Sequence, residues 1–332
     1  MKTISFDIEW YGRDNRRSAI CDYLELMAIQ GDQITAVDLQ DTIRDANWIG
    51  KLNERIVTSY ELASGRDTHP GEDDNSDLSQ SLDDAEVASD NILTILQERS
   101  QILGNVYPFK ILVDESRLVT FDDNLGRHRI YLALLCITVS HTLYHDSNMD
   151  IQFPHLPSDV FEETLATTLN RRGILTSNLG LTSRGSGFAS ALRKSCDEIG
   201  IKADPYGAPF RKHANDEGCD TVSNLWPHDT RVGGTFLAGQ ATCAKSHEWK
   251  DKLKDVPVGS VRDWLRRRMN PFCFLSVPHH VQLDTLDFLI GKHNNVDVLD
   301  RLRLCFVERG LMDSEKQLID ATLSLQVSPI GN

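Results

Sequence analysis

Two polar side chains interrupt apolar stretches that are typical of β-strands. Asp220 lies among the small and apolar residues of Cys219–Trp226, and Gln240 follows Gly239 at the end of the apolar run TFLAG. Strand interiors disfavour Asp, so a purely structural carboxylate is the less favoured explanation of Asp220. Carboxylate and amide oxygens are ligands that a hard cation such as Mg²⁺ prefers. The two positions therefore predict a cation site, and a structural role stays open for each.

The elements that would position these side chains follow a boundary at Pro154–Pro157. The stretch SDVFEETLATTLNRRG predicts a helix that Ser158 or Asp159 caps and Gly173 ends. Three apolar residues line its inner face: Phe161, Leu165 and Leu169. GFASALRKSCDEIG, SHEWKDKLK and SEKQLIDATLSL predict further helices, while Cys219–Trp226, TFLAGQATC and FCFLSVP predict strands. This order predicts an α/β sandwich with a mixed central sheet.

The order of motifs in this half resembles the PD-(D/E)xK, or restriction-endonuclease-like, nuclease superfamily, and most closely its Mrr-like members. The resemblance covers roughly residues 155–280. It rests on Phe161-Glu162 in a helix, Asp216-Glu217-Gly218-Cys219-Asp220 at an Asp-bearing strand, and Gly239-Gln240 on the next strand. It implies a restriction-endonuclease-like core with a mixed central sheet flanked by helices. Thr242 departs from the pattern, because most of the superfamily carries a lysine there.

The resemblance implies hydrolysis of phosphodiester bonds in DNA with Mg²⁺ or Mn²⁺ as cofactor. Bound cations neutralise charge on the attacking and leaving oxygens and lower the pKa of a bound water. Asp220, Glu162 and Gln240 are the implied metal ligands and catalytic residues, and Glu163 is an alternative to Glu162. The neutral Gln240 would hold the cation more weakly than a carboxylate, and Mrr-like nucleases also carry Gln at this position.

The helix after the second strand offers replacements for the missing lysine. Lys245 and Lys252 are seven residues apart, two helical turns, so they share one face. Trp249 lies between them on that face. If Trp249 packs on the sheet, both ammonium groups border the strand ends, because lysine stems run along apolar surface. Lys252 is favoured as the catalytic cation and Lys245 is the second choice, with a plain surface role still open.

The net charge of −14 is unevenly distributed along the chain. Residues 1–150 hold 13 Lys/Arg and 27 Asp/Glu, whereas residues 151–332 hold 22 of each. Residues 245–268 hold eight bases against four acids, a local basic patch of the kind that meets phosphates. Five members are predicted to contact nucleic acid: Lys250, Lys254, Arg266, Arg267 and Arg268. A solvated helical face remains the alternative.

Residues 1–153 predict a mostly helical, acidic domain. RSAICDYLELMAIQ and AVDLQDTI predict helices on either side of a turn at Gly31-Asp32. Residues 62–90 are polar and acidic and predict a mobile loop, which ILTILQERSQILG follows as a helix. YPFKILVDESRLVTF predicts a short strand pair, and RIYLALLCITVSHTLY predicts a helix buried on most sides.

The seven cysteines are dispersed, without a CxxC pair or zinc-ligand spacing, which favours reduced and buried thiols. No apolar run approaches the length of a transmembrane helix, and the first residues lack the pattern of a signal peptide. We therefore expect a cytoplasmic protein with no membrane partner.

Four other patterns are given structural interpretations. SFDIEW places Asp7 and Glu9 like the first motif of proofreading exonucleases, but no later acidic motif completes such a site. SRGSGFASAL has glycines before a helix but lacks the Gly-Lys-Ser/Thr ending of a phosphate-binding loop. His279-His280 predicts a polar loop. LDRLRL predicts a strand or a helix edge; if it is a strand, Arg301 and Arg303 share one face and could touch nucleic acid or a partner domain.

The favoured hypothesis is a metal-dependent DNA endonuclease, an effector of a bacterial anti-phage defence or restriction system. The alternative is an inactive nuclease-fold module that binds DNA or assembles a complex. The acidic N-terminal domain is expected to bind a protein partner from the same system or to cover the basic patch, and a homodimer is possible.

Overall fold

The computed structural model describes residues 3–12, 15–32, 34–53, 78–112, 119–122, 129–145, 151–183, 187–204, 218–225, 235–255, 258–265, 270–292 and 296–328. The chain divides into two compact units. Unit 1 comprises Met1–Ile102, Phe109–Asp123 and Leu325–Asn332, and unit 2 comprises Leu103–Pro108 and Asn124–Ser324. Among the described helices, none is both long and apolar enough to cross a membrane.

The helices, numbered along the chain, are α1 Arg16–Gln30, α2 Ala36–Asp45, α3 Trp48–Asn53, α4 Leu78–Leu103, α5 Arg129–His145, α6 Pro157–Arg171, α7 Leu179–Ser183, α8 Phe188–Glu198, α9 Trp249–Asp255, α10 Val258–Trp264, α11 Leu283–Lys292, α12 Arg301–Cys305 and α13 Asp313–Leu323. The strands are β1 Thr3–Ser5, β2 Phe109–Ile111, β3 Val119–Phe121, β4 Leu175–Asn178, β5 Thr221–Asn224, β6 Phe236–Ala241, β7 Phe272–Ser276, β8 Val296–Leu299 and β9 Gln326–Ser328.

Unit 1 contains α1 to α4 and two small sheets. β1 pairs with β9 in parallel, and β2 pairs with β3 in antiparallel orientation, which confirms the predicted strand pair. Gly31 ends α1 at φ 89°, as the predicted turn requires. Thr35 and Asp38 form a capping box that begins α2.

A buried ionic cluster joins α1 to α4 inside unit 1. The Arg99 guanidinium donates to carboxylate oxygens of Asp22 and Glu25 at 2.8 Å each and to the Ser18 hydroxyl at 2.6 Å. The charged side chains of this cluster are fully buried. A buried charge is costly unless it is paired. Because Asp22 and Glu25 are paired with Arg99, helix α1 can be buried on nearly every face.

The structure corrects two predictions about the first half. Helix α4 occupies positions 78–90, where a loop was predicted, and residues 62–77 lie outside the described residues. The buried stripe of α4 begins with small residues such as Ala85 and Ala88, so the composition resembles that of a loop. The boundary predicted after residue 153 also differs from the division observed, because the apolar helix α5 packs against α6, α12 and α13 within unit 2.

A five-stranded mixed sheet in the order β4-β5-β6-β7-β8 forms the centre of unit 2. The β4–β5 and β5–β6 pairs are antiparallel, whereas the β6–β7 and β7–β8 pairs are parallel. Parallel neighbours need crossover connections, and α9 with α10 and then α11 supply them. The predicted α/β architecture with a mixed sheet is therefore confirmed at this level.

Two apolar clusters hold helices on the sheet. Phe188 and Leu192 of α8 and Trp264 of α10 pack with strand residues such as Val222 and Phe236. Around the parallel strands, a second cluster is centred on Trp249, which is fully buried. Its indole Nε1 donates to the Ala244 carbonyl oxygen at 2.9 Å, so α9 begins at a defined position beside β6.

Two local predictions about unit 2 are wrong. Helix α6 begins at Pro157, and its N-cap is Leu156, without a side-chain cap bond, two or three residues before the predicted caps Ser158 and Asp159. Proline is favoured at this first helical position because its missing N–H has no intrahelical acceptor. Arg301 and Arg303 lie in helix α12, so they do not share the face of a strand. Arg301 is fully buried and donates to the Pro278 carbonyl oxygen at 2.9 Å, so it cannot contact nucleic acid.

Candidate functional site

Helix α6 buries Glu162 and exposes Glu163. Phe161, Leu165 and Leu169 form its buried stripe as predicted, and Glu162 is 9% exposed beside them. Glu163 instead points to solvent, where its Oε2 accepts a hydrogen bond from the Ser314 hydroxyl at 2.7 Å. Of the two predicted alternatives, Glu162 is therefore the buried side chain and Glu163 the exposed one.

Asp220 lies immediately before β5, and its N–H, its carbonyl oxygen and one carboxylate oxygen form hydrogen bonds with backbone groups. Its N–H donates to the Gly239 carbonyl oxygen at 2.9 Å, and its carbonyl oxygen accepts from the N–H groups of Leu179 and Gly180 at 2.7 and 3.1 Å. The Oδ2 atom accepts from the Ala241 N–H at 2.8 Å. These bonds fix the carboxylate, 5% exposed, between the end of β6 and the start of α7.

The carboxylates of Glu162 and Asp220 converge on Gly180, the second residue of α7. A Cβ atom added to Gly180 would lie 2.7 Å from Glu162 Oε2 and 3.2 Å from Asp220 Oδ1. The two oxygens are therefore at most about 5.9 Å apart, the sum of these distances. A side chain at position 180 would therefore crowd both carboxylates. Two oxygens up to about 4.2 Å apart, twice the Mg²⁺–oxygen distance, can ligate one Mg²⁺ directly, and more widely spaced oxygens can hold it through its water ligands.

Gln240 adds a buried amide at the same end of the sheet. In the β5–β6 register Thr221 lies opposite Gly239, so one further step brings Asp220 beside Gln240. The side chain is 7% exposed, and its Oε1 atom has no hydrogen-bond partner among the described residues. A buried amide oxygen without a donor is costly, and either a water or a bound cation would complete its bonding.

Thr242 has a structural role at the end of β6. Its N–H donates to the Ser276 carbonyl oxygen at 2.9 Å, which extends the pairing with β7. Its hydroxyl oxygen accepts from the Ala244 N–H at 3.1 Å and so helps to turn the chain toward α9. Thr242 therefore gives the site no positive charge.

The lysines do not lie on one helix as predicted. Trp249 anchors α9 as expected, but Lys245 precedes the helix and caps a short 3-10 turn, Ser246–Glu248. Lys252 lies inside α9 and is half-buried, and it makes no hydrogen bond or ion pair with any described residue. Its ammonium group is therefore available to a ligand.

The predicted nucleic-acid contacts are exposed where the structure describes them. Lys250 and Lys254 both lie on the solvent side of α9. Lys254 pairs with Asp251 at 3.0 Å, so part of its charge is already neutralised. Arg266, Arg267 and Arg268 lie outside the described residues.

A thiol lies within electrostatic reach of Glu162, and an imidazole lies beside the residue that carries the thiol. Burial raises the pKa of the Cys243 thiol well above its ordinary value, and the negative charges of Glu162 and Asp159 raise it further. The thiol is therefore neutral and a poor metal ligand. His279 lies in a loop after β7, as predicted, but its side chain is buried. Its Nε2 lies 3.4 Å from the Cys243 carbonyl oxygen.

Among the described residues, no three His, Cys, Asp or Glu side chains form a group that could hold a metal ion. The candidate site has two carboxylates and one amide, which suits Mg²⁺ better than Zn²⁺, because Mg²⁺ keeps several waters and needs few protein ligands. Comparison with protein-family models, curated proteins and solved structures gives no match for this chain.

Sequence reasoning missed two parts of the site. Gly180 and the Ala241 N–H define where the carboxylates sit, but neither carries a side chain that suggests chemistry. The segment NLGLTS, with one glycine two residues after Asn178, is an ordinary loop signal. It becomes informative only once Glu162 and Asp220 are known to lie beside it.

Proposed function

We propose that unit 2 is a nuclease that hydrolyses phosphodiester bonds in DNA with Mg²⁺ or Mn²⁺. The observation that carries the proposal is that carboxylate oxygens of Glu162 and Asp220 both lie next to Gly180. Two carboxylates close together concentrate negative charge, which a bound cation or a proton would offset. A divalent cation offsets this charge and is the cofactor of metal-assisted phosphodiester hydrolysis.

The order of elements around the site also supports the proposal. Helix α6, strands β4, β5 and β6, the crossover helices and strand β7 follow one another along the chain. The motifs that suggested a restriction-endonuclease-like core fall on these elements. Glu162 lies on the first helix, Asp220 at the start of β5 and Gln240 near the end of β6.

The residues present fit a hard divalent cation. Glu162 Oε2 and Asp220 Oδ1 would be its anionic ligands, and Gln240 Oε1 a neutral one. When bound, the cation would lower the pKa of a water ligand and neutralise charge on the phosphate. The Ala241 N–H holds Asp220 Oδ2, which leaves the other oxygen directed at Gly180. Lys252, half-buried and unpaired within the described residues, would contribute positive charge to the phosphate.

The test combines cation binding with cleavage. Mn²⁺ should bind the native protein and raise its melting temperature, and plasmid DNA should be cut with Mg²⁺ or Mn²⁺ but not with EDTA. Asp220→Asn should lose both properties, since a neutral amide replaces the central anionic ligand. The matched control Asp251→Asn removes an exposed carboxylate of α9 and should keep both. Equal Mn²⁺ binding by the native protein and Asp220→Asn would exclude the proposed metal site.

One observation favours a second function, a nuclease fold that binds DNA without cutting it. Thr242 is committed to a turn, so the usual lysine position supplies no charge. In that case the native protein would bind Mn²⁺ and DNA, but plasmid would stay intact at every cation concentration. Cleavage that Asp220→Asn abolishes would reject this second function.

A further inference from the structure

A cavity of about 620 Å³ lies in unit 2, away from the acidic pair. The residues that line it include Leu237 of β6, Phe272 of β7, Arg172 after α6 and Phe306 after α12. Arg172 follows Glu162 by ten residues, about 15 Å of helix. Leu237 precedes Gln240 by three residues, about 10 Å of strand. The cavity is therefore separate from the proposed nuclease site.

The lining is apolar and includes exposed aromatic rings. Leu237, Leu304 and Val296 contribute aliphatic surface. Phe272 and Phe306 are 51% and 52% exposed, unusual values for phenylalanine. Exposed apolar surface of this kind marks a binding site, and half-exposed rings offer faces for stacking. The volume lies within the range that small organic ligands occupy.

The charged residues that line the cavity favour an anionic ligand. The lining contains two arginines and one aspartate, a balance of +1. Arg303 pairs with Asp297, so these two charges offset each other. Arg172 donates one N–H to the Arg303 carbonyl oxygen at 3.2 Å and pairs with no carboxylate among the described residues. Its remaining N–H donors can therefore meet an anionic group.

We propose that this cavity binds a small organic anion, a flat apolar body that carries one negative group. The flat body stacks between Phe272 and Phe306, and the negative group pairs with Arg172. This proposal does not depend on nuclease activity. It applies equally if the acidic pair binds no cation.

Two fluorescent probes that differ in one group provide the test. 1-Anilinonaphthalene-8-sulfonate carries a flat aromatic body and a sulfonate, and N-phenyl-1-naphthylamine has the same rings without the charge. The native protein should bind one molecule of the sulfonate, about fivefold more tightly than the neutral probe, the scale of one partly exposed charged hydrogen bond. Equal affinity for the two probes would overturn the proposal.

Variants locate the site. Arg172→Gln should remove the preference for the sulfonate, and Phe306→Ala should weaken both probes. Arg171→Gln is the matched control, because Arg171 is the preceding residue but donates to the Glu308 carbonyl oxygen and does not line the cavity. Melting curves should show that each variant is folded. The same loss in Arg171→Gln and Arg172→Gln would mean adventitious dye binding only. A concentration-dependent dimer that Phe306→Ala abolishes would mean that a second copy covers the cavity, and would equally reject the ligand.

Discussion

Gly180 lies next to the carboxylates of Glu162 and Asp220, so a substitution there tests the proposed cation site directly. Gly180→Ala should leave folding stability unchanged or slightly raised, because alanine is favoured in a helix by about 1 kcal/mol. It should weaken Mn²⁺ binding about tenfold or more, because the new methyl group would displace Glu162 Oε2. Titration calorimetry would measure the affinity.

The chain supplies a control for this substitution. Gly291 lies in helix α11, and a Cβ atom there would have no heavy atom within 4 Å. Gly291→Ala should therefore match the stability change without altering Mn²⁺ affinity. If both variants bind Mn²⁺ as the native protein does, the cation does not lie between Glu162 and Asp220.

Lys252 is the residue that decides whether a lysine of α9 takes over the catalytic charge. Lys252→Ala should reduce the cleavage rate roughly 10²-fold, the scale seen when a preorganised charge-stabilising group is removed. Lys250→Ala, on the exposed side of the same helix, should reduce it far less. Single-turnover cleavage at saturating protein would separate this effect from DNA binding, and similar mild losses in both variants would transfer the role to Lys245.

His141 should make unit 2 sensitive to acid. Burial lowers its pKa from 6.5 to about 3, with smaller contributions from His145 and His279. Between pH 6.5 and 3, His141 is protonated in the unfolded chain but neutral in the folded protein. The free energy of unfolding therefore decreases as the pH falls from about 6.5 toward 3. Urea unfolding from pH 7.5 to pH 5 should show a slope of at most about 1.4 kcal/mol per pH unit from this group. His141→Asn should flatten that slope; an unchanged slope would contradict the assignment.

At the level of elements, the close approach of β6 and β7 holds Gln240 in place. Gly239 lies opposite Phe274, and a Cβ atom at Gly239 would overlap the Phe274 ring. Gly239→Ala should therefore destabilise the protein by about 1–3 kcal/mol, as overpacking usually does. The double variant with Phe274→Leu should recover part of this loss in urea unfolding. No recovery would mean that the glycine is needed for its backbone rather than for the ring.

At the level of the whole molecule, an acidic chain must bind DNA through local positive charge. The excess acid lies in residues 1–150, whereas α9 presents exposed lysines. Lys250→Ala should lower the slope of log affinity against log salt by about 1, since one phosphate contact is lost. Lys110→Ala, an exposed lysine of unit 1 near Asp122, should leave the slope unchanged. Equal effects would place DNA on both halves of the chain.

Much of the secondary structure of unit 2 could be predicted from the sequence. Apolar periodicity located α6, α8 and the strands β5 to β7, because one buried face imposes a repeat on each segment. β4 and α7 were missed, since four or five residues carry too short a pattern. The first half of helix α4, positions 78–90, was mistaken for a loop because alanines carry part of its buried stripe, and composition alone does not separate that from an unstructured segment.

The sequence by itself determined which residue types could bind a cation and roughly which elements carry them. Only the tertiary structure decided that Glu162 rather than Glu163 is buried, that its carboxylate meets Asp220 at Gly180, and that Lys245 lies outside the helix. The physical reason is separation along the chain. Glu162 and Asp220 are 58 positions apart, and their distance depends on how α6, α7 and β6 pack, which no local pattern of residues specifies.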